Sequence, residues 1–528
     1  TTRENRYENG RVVYVSKNAE KMLQIVFNRI FYVTVALLVQ LGWILLLFWR
    51  LNNYSRYASI ALSIISIFLC IVDCQQENQP LLPVGLDNRH PRDSCIRDCT
   101  VFLFGKSRVA AAMQERFDKI LCESRPFLEG DANSTSGCGG EDPEVAVQSQ
   151  YIQRFSGYPL HENTTVEYFQ VGDDIFPTLI KELESAEHYI FMEYFIINDG
   201  VMWRSILDIL EKKAYQGVDV RLIYDDFGCL TTLPYKYYRY LQSKGIKCEV
   251  FNPFRPFLNV IMNNRDHRKI CVVDGHTGFT GGINLADEYI NQKERFGHWK
   301  DTALRLEGEG VWGLTSIFLE MWEVAMGYEI TTDYTVYMPT VKMPSDGFVQ
   351  PFCDGPANNP NNPAEDVYTH LINKARDYVY ITTPYLVIDR KMAEDLCRTA
   401  RSGVDVKIVV PHIYDKWYVY MVNVANYGPL IANGVHVYEY MPGFIHSKTV
   451  VCDDECAVCG TINMDYRSFY LHYECGVFTC ESSAVADIRN DIHETLKQCQ
   501  EIYLDEWQSR PWYEKIVQWI LHLFAPVL

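Results

Sequence analysis

HRKICVVD (267–274) and HSKTVVCD (446–453) are two copies of one pattern, H-x-K-x-x-x-x-D. Gly281-Gly282-Ile283-Asn284 follows the first and Gly460-Thr461-Ile462-Asn463 follows the second at matching places. The β-branched residues after each histidine predict a strand, and strand alternation puts His and Lys on one face. One imidazole and one ammonium on one face suit a phosphate: the imidazole attacks and the ammonium holds the oxygens. Two copies supply two imidazoles, one as nucleophile and one as general acid, with a phosphohistidine between the two half-reactions. A single copy would read as an ordinary strand with an exposed histidine. Duplication with equivalent flanks is what points to a site.

The duplication extends outward. The first half reads HYIFMEYFI (188–196), the helix-like WRSILDILEKKAYQG, then VDVRLIYDDFG and GIKCEVFNPF (245–254). The second reads DYVYITTPYLV (377–387), MAEDLCRTARSG, then VDVKIVVPHIYD and GVHVYEYMPGF (434–444). Each half runs strand, helix, strand, helix, strand, which predicts an α/β sheet flanked by helices. Gly217 and Gly403 each stand between a helix and a V-D-V strand, where a helix C-terminus is expected.

The paired motif resembles the phospholipase D superfamily over roughly residues 150–510. FMEYFI, DHRKICVVDG, GGINLADEY, IHSKTVV and GTINMDYRS are similar to strings of the bacterial cardiolipin synthases within it. The resemblance implies two fused phospholipase D-like α/β units with mixed sheets and a pseudo-two-fold active site, behind N-terminal transmembrane helices. It implies phosphatidyl transfer: one phosphatidylglycerol is attacked, glycerol leaves, and a second phosphatidylglycerol accepts the phosphatidyl group to give cardiolipin. It implies His267 as nucleophile, His446 as acid then base, and Lys269, Lys448, Asn284 and Asn463 around the non-bridging oxygens, with no metal or other cofactor. Asp274 and Asp453 complete the motifs and are grouped with the catalytic residues, although their place after the strand points to fixing the turn and the packing of each half.

A nucleophilic imidazole needs an acceptor on its other nitrogen. Asp301, 34 residues after His267, and Glu474, 28 residues after His446, occupy corresponding places on strand-like sequence. They are the expected orienters, each counted from the motif of its own half.

At 528 residues the chain is long enough for two or three domains. Its 48% hydrophobic and 22% charged content excludes wholesale disorder. A net charge of −18 speaks against a protein that tracks a nucleic-acid backbone. Residues 30–49 run twenty positions without a charge, between Arg29 and Arg50, and 57–72 run sixteen. Spans at about 30–50 and 57–74 are expected, with the N-terminus cytoplasmic by its excess of basic residues. Residues 78–104 break this pattern. Codons chosen for NQPLLPVGL read in the next frame as TSPSYRLAW, similar to the N-P-x-Y-x-L-A-W bridge between the second and third passes of the synthases. We read 78–104 as a third apolar segment lost to two compensating frameshifts.

The expected organisation is therefore a membrane anchor over 1–105 and an amphipathic stretch with a linker over 106–150. A first unit over 151–340 follows, its motif region at 261–288. A second over 341–528 has its motif region at 440–467 and ends in an amphipathic helix. The expected location is the plasma membrane, multi-pass, with phosphatidylglycerol and membrane lipids as partners. Seventeen cysteines include Cys452, Cys456 and Cys459, but no fourth ligand stands at a zinc-like spacing. Two other functions stay open on the residues alone: a phosphodiesterase using water or another alcohol as acceptor, and a non-catalytic membrane scaffold.

Overall fold

The structure, a computed structural model, describes residues 3–8, 11–16, 108–128, 143–253, 264–327, 333–356, 361–522 and 525. The expected spans at 30–50 and 57–74, the segment 78–104 and most of the linker at 130–144 lie outside the described residues. Among the described residues no helix is long and apolar enough to cross a membrane.

The expected amphipathic stretch is helix α1 (Arg108–Leu128). The expected linker gives way to helix α2 (Pro143–Ser156), which runs past residue 150. The side-chain amide of Gln350 donates to the carbonyls of Ser149 and Tyr158 and ties the end of α2 to the strand that carries Gln350.

The strands of the first half are β1 (Thr164–Phe169), β2 (Tyr189–Tyr194), β3 (Asp219–Asp225), β4 (Lys247–Phe251), β5 (Lys269–Val273), β6 (Thr277–Gly281) and β7 (Ala303–Gly308). Those of the second are β8 (Phe348–Asp354), β9 (Tyr378–Thr382), β10 (Asp405–Pro411), β11 (His436–Tyr440), β12 (Thr449–Cys452), β13 (Cys456–Gly460) and β14 (His472–Cys480), with β15 (Cys499–Glu501) at the edge. The first sheet has the order β1-β7-β6-β5-β2-β3-β4 and the second β8-β14-β13-β12-β9-β10-β11-β15. Every strand of the first sheet thus recurs seven labels later in the second. Directions repeat too: β2, β3 and β4 run parallel, as do β9, β10 and β11, while each motif strand pairs antiparallel with its neighbours.

Local chemistry explains the repeat. β2 and β12 are buried throughout, so they do not alternate apolar and polar; β2 even buries Glu193. Helix α3 (Val201–Tyr215) ends at Gly217, whose φ of +94° lets the Val218 N–H reach back to the Lys213 carbonyl. Helix α4 (Arg390–Arg401) is likewise followed by a left-handed glycine, Gly403 at φ +97°, whose N–H donates to the Ala400 carbonyl. The two sheets meet through β6, β7, β13 and β14, where Thr280 and Cys475 touch. Each motif therefore runs into the core where the halves join.

Candidate active site

The residues just ahead of each motif leave their own half. Arg265 and Asp266 pair in parallel with His472 and Tyr473 at the start of β14, and the His267 N–H donates to the Tyr473 carbonyl at 2.9 Å. In mirror fashion His298–Lys300 pairs in parallel with Gly443–Ile445, and the His446 N–H donates to the Lys300 carbonyl at 2.7 Å. On each receiving segment the next residue is a carboxylate, Glu474 after Tyr473 and Asp301 after Lys300.

The result is an exchange. His267 Nδ1 lies 3.0 Å from Glu474 Oε2, and His446 Nδ1 lies 2.6 Å from Asp301 Oδ2. Asp301 and Glu474 do meet the motif imidazoles, but each serves the histidine of the other half. Counting along one half assumed that each motif completes itself. The short inter-half ladders break that assumption, because they carry each histidine to the partner strand. An ionised carboxylate only accepts, so each Nδ1 carries the proton and each Nε2 keeps its lone pair.

The two carboxylates are fully buried and held differently. Thr461 and Ser468 hydroxyls donate to Glu474 at 2.5 and 2.7 Å. Asp301 accepts the Thr302 N–H at 2.9 Å, and Gly282, the counterpart of Thr461, makes room for it. A Cβ on Gly282 would stand 1.9 Å from Asp301 Oδ1. The one difference between G-G-I-N and G-T-I-N thus matches the difference between Asp and Glu.

Lys269 and Lys448 are buried beside their histidines, and each ammonium donates to the backbone carbonyl of the histidine two residues earlier. Asn284 is engaged at both ends: its Oδ1 accepts from the Ile196 N–H and its amide donates to the Tyr289 hydroxyl. Asn463 Oδ1 is buried without a hydrogen-bond partner. The two asparagines therefore differ in their freedom to meet a ligand.

Asp274 and Asp453 stand apart from this cluster. Asp274 accepts the N–H groups of Glu187, His188 and Tyr189 at 2.7–2.8 Å, capping the start of β2. Asp453 does the same for Arg376, Asp377 and Tyr378 ahead of β9. Grouping them with the catalytic residues is corrected accordingly. Each sits past the far end of its motif strand, five residues and about 16 Å of extended chain beyond the lysine.

Electrostatics holds both imidazoles toward the neutral form. Burial, then the charges of Lys269, Lys448 and His446, hold His267 well below the usual histidine range. Burial and Lys448 bring His446 down to about 4, against the upward pull of Asp301. Burial lowers Lys269 to about 7 despite Glu474, and Lys448 to about 8 despite Asp301. Aromatic rings wall both sites: Phe195 packs on His267 at 5.0 Å, and Trp299, Tyr289 and Phe444 surround His446 at 5.5–5.6 Å.

Sequence reasoning missed His472, Arg467 and Lys416. The His472 ring lies 5.5 Å from that of His267, and its Nδ1 is 3.6 Å from Glu474 Oε1 without a hydrogen bond. Period-2 alternation back from Glu474 would have found it. His267, His472 and Glu474 bring donor atoms within 4.8 Å of one another, a candidate cation cluster among the described residues. Arg467 Nε, however, donates to His472 Nε2 at 3.2 Å. That bond places the His472 proton on Nδ1, and a protonated nitrogen is no ligand. Burial brings His472 down to about 3, so it adds no charge beside His267.

A family profile described as "Cardiolipin synthase, PLD-like domain" matches residues 179–300 and 368–496. A cardiolipin synthase of Halalkalibacterium halodurans is 34% identical over 490 residues, 89% of this chain and 93% of its own. Cardiolipin synthase 2 of Bacillus anthracis is 36% identical over 466 residues, 84% and 88%. An uncharacterized protein of Streptococcus mutans is 45% identical over 381 residues, 72% and 82%. Among solved structures, phosphatidylserine synthase of Haemophilus influenzae superposes with a TM-score of 0.57 at 16% identity, covering 72% of this chain and 97% of its own. That likeness concerns the fold.

Proposed function

The chain belongs to the cardiolipin synthases with phospholipase D-like domains, and from that premise we propose that it transfers a phosphatidyl group between two phosphatidylglycerol molecules on the imidazoles of His267 and His446. It is a phosphatidyltransferase. His267 Nε2 attacks the phosphorus of the first lipid and the bond to glycerol breaks. His446, which takes up a proton on Nε2 when the anionic phosphate binds beside it, gives that proton to the departing glycerol oxygen. The same imidazole then takes the proton from a hydroxyl of the second lipid, whose oxygen displaces His267 and yields cardiolipin. One proton leaves with glycerol and one arrives with the acceptor, so the two half-reactions balance.

The observation that carries this reading is the pair of imidazoles in one buried cluster, each with Nδ1 on a carboxylate of the other half. Burial and the neighbouring lysines hold His267 below the usual histidine range, which keeps its Nε2 lone pair free for attack. Glu474 stabilises the cation that forms when His267 carries phosphorus. Lys269 and Lys448 meet the non-bridging oxygens, and the incoming negative charge restores their protons. Asn463 serves a phosphate oxygen through its amide N–H, which donates, whereas Asn284 acts through Tyr289.

We place the two catalytic units at 151–340 and 341–528, behind a multi-pass anchor at 1–105 in the plasma membrane. The match to the Halalkalibacterium synthase spans more of the chain than residues 106–528 alone supply, which supports an N-terminal region in common. The test is purified protein in detergent with labelled phosphatidylglycerol. Cardiolipin and glycerol in equal amounts, lost in His267→Ala, are expected. Phosphatidic acid as sole product would make water the acceptor and overturn the reading, as would turnover that survives His267→Ala.

A further inference from the structure

The C-terminal helix Trp512–His522 turns most of its large apolar side chains outward and buries a glutamine, with Leu521 packed inward beside it. Its buried residue is Gln518, 3% exposed, whose Oε1 accepts from Arg510 at 2.9 Å. His522 reaches Asn426 on the neighbouring helix Trp417–Ile431 at 3.2 Å. The outward residues are Trp512, Ile516, Trp519 and Ile520, at i, i+4, i+7 and i+8, exposed by 73, 47, 63 and 44%. Trp417 (54%) and Tyr414 are also exposed, at and just before the start of the neighbouring helix. Water does not favour this inverted arrangement, and scattered surface apolar residues do not line up on one helix face. Trp, Tyr and Ile beside lysine is the composition of a segment lying at a membrane interface.

The helix adjoins a small cleft: Leu521 packs with Val387, Val419 and Ala525, and these three line the cleft with Tyr385, Lys416, Asp465 and Arg467. Lys416 immediately precedes Trp417, and its charge is felt at His267. Arg467 holds His472, whose ring faces His267. Two cations thus stand between the apolar face and the histidines, complementary to a lipid that arrives phosphate first.

We propose that the face of Trp512, Ile516, Trp519 and Ile520, with Trp417, is seated in the headgroup layer of an anionic lipid membrane, and that Lys416 and Arg467 receive the lipid phosphate as it passes to the catalytic histidines. The occupant is the lipid surface, because the helix adjoins a cleft whose lysine and arginine suit the phosphate of a substrate that comes from that surface. The second half of the proposal rests on the phosphatidyl-transfer reading; the seating of the helix does not.

The test uses the full chain reconstituted in phosphatidylglycerol vesicles. Trp512→Ser/Trp519→Ser is compared with wild type in two assays. In the first, phosphatidylglycerol brominated on its acyl chains quenches tryptophan fluorescence, and the variant loses a quenched component that wild type shows. In the second, turnover on vesicles is divided by turnover on a short-chain phosphatidylglycerol below its micelle concentration. That ratio falls at least about tenfold, and Trp512→Phe/Trp519→Phe recovers most of it. Unchanged quenching overturns the proposal. So does a parallel fall in both turnovers, which would make the face part of the fold, or a mass in detergent that drops to half, which would make it an interface between two copies. If wild type makes no cardiolipin from either lipid, the catalytic reading fails and the quenching alone decides the seating.

Discussion

Exchange of the carboxylates between halves makes a prediction that pairing within each half reverses. The perturbations are Glu474→Gln and Asp301→Asn, each placed on a His446→Asn background. The substrate is phosphatidyl-p-nitrophenol, whose leaving group needs no acid, so only attack by His267 is measured. Glu474 lies 3.0 Å from His267 Nδ1, fully buried, and opposes the positive charge that the ring gains on bonding phosphorus. Two charges about 4 Å apart at an effective dielectric of about 20 interact by roughly 4 kcal/mol. Losing that is about a thousandfold in rate. Asp301 lies 2.6 Å from the imidazole that the background has already removed. Its substitution therefore slows attack further by less than about threefold, as expected of a residue whose partner is gone. A stopped-flow burst of nitrophenolate reads both values. If Asp301→Asn costs the thousandfold and Glu474→Gln almost nothing, the exchange is refuted. If both cost nothing, His267 is not the nucleophile.

Three further outcomes follow from particular contacts. Gly282→Ala drives a methyl into Asp301, 1.9 Å away in the present geometry, and loosens its grip on His446; a charged hydrogen bond of about 1.5–3 kcal/mol predicts roughly a 10–100-fold loss of kcat, non-additive with Asp301→Asn. Asp453→Asn weakens three backbone hydrogen bonds ahead of β9, so denaturant unfolding should show a loss of about 2–4 kcal/mol while turnover of the folded fraction changes only a few-fold. Inorganic phosphate should bind with proton uptake and lose affinity as pH rises from 7 to 9, because Lys269 at about 7 and Lys448 at about 8 must be charged to hold it. The linkage has a matching sign in the empty protein. Both lysines bind protons more weakly folded than unfolded, so their burial costs stability increasingly as pH falls from 10.5 toward 7, and Lys269→Met should raise the melting temperature more at pH 6 than at pH 10. Calorimetry in buffers of different ionisation enthalpy measures the uptake, and a phosphate affinity independent of pH would contradict it.

What the sequence could reveal depended on whether the information was local. His267, Lys269, His446 and Lys448 were legible because a repeated motif with repeated flanks is a pattern along the chain, and the structure draws all four into one cluster. Gly217 and Gly403 were legible because a helix ends by local rules. The partner of each carboxylate was not. It depends on two ladders of two and three residue pairs, Arg265–Asp266 on His472–Tyr473 and His298–Lys300 on Gly443–Ile445. No periodicity announces them, and counting from the nearest motif gives the opposite answer. Asp274 and Asp453 misled for a related reason. Membership in a motif was taken for membership in a site, whereas a strand separates its two ends. His472 escaped notice as a single histidine, although alternation from Glu474 leads to it.

The exchange also bears on why the repeat persists as one chain. Neither half holds a finished imidazole: His267 has its lysine from its own strand and its carboxylate from β14, while His446 takes Asp301 from the segment just before β7. A half separated from the other would expose a buried Glu or Asp without its imidazole, and a histidine free to rotate and protonate. The halves are thus coupled by the chemistry itself. Small shifts between the sheets at β6, β7, β13 and β14 would change both imidazoles together, which suits two half-reactions that pass the same phosphorus from nucleophile to acceptor. The coupling has a cost that the pKa values express. Two lysines and three histidines sit buried and resist protonation in the empty site. An anionic phosphate relieves that strain where it binds, so substrate affinity draws on the same burial that keeps the nucleophile neutral.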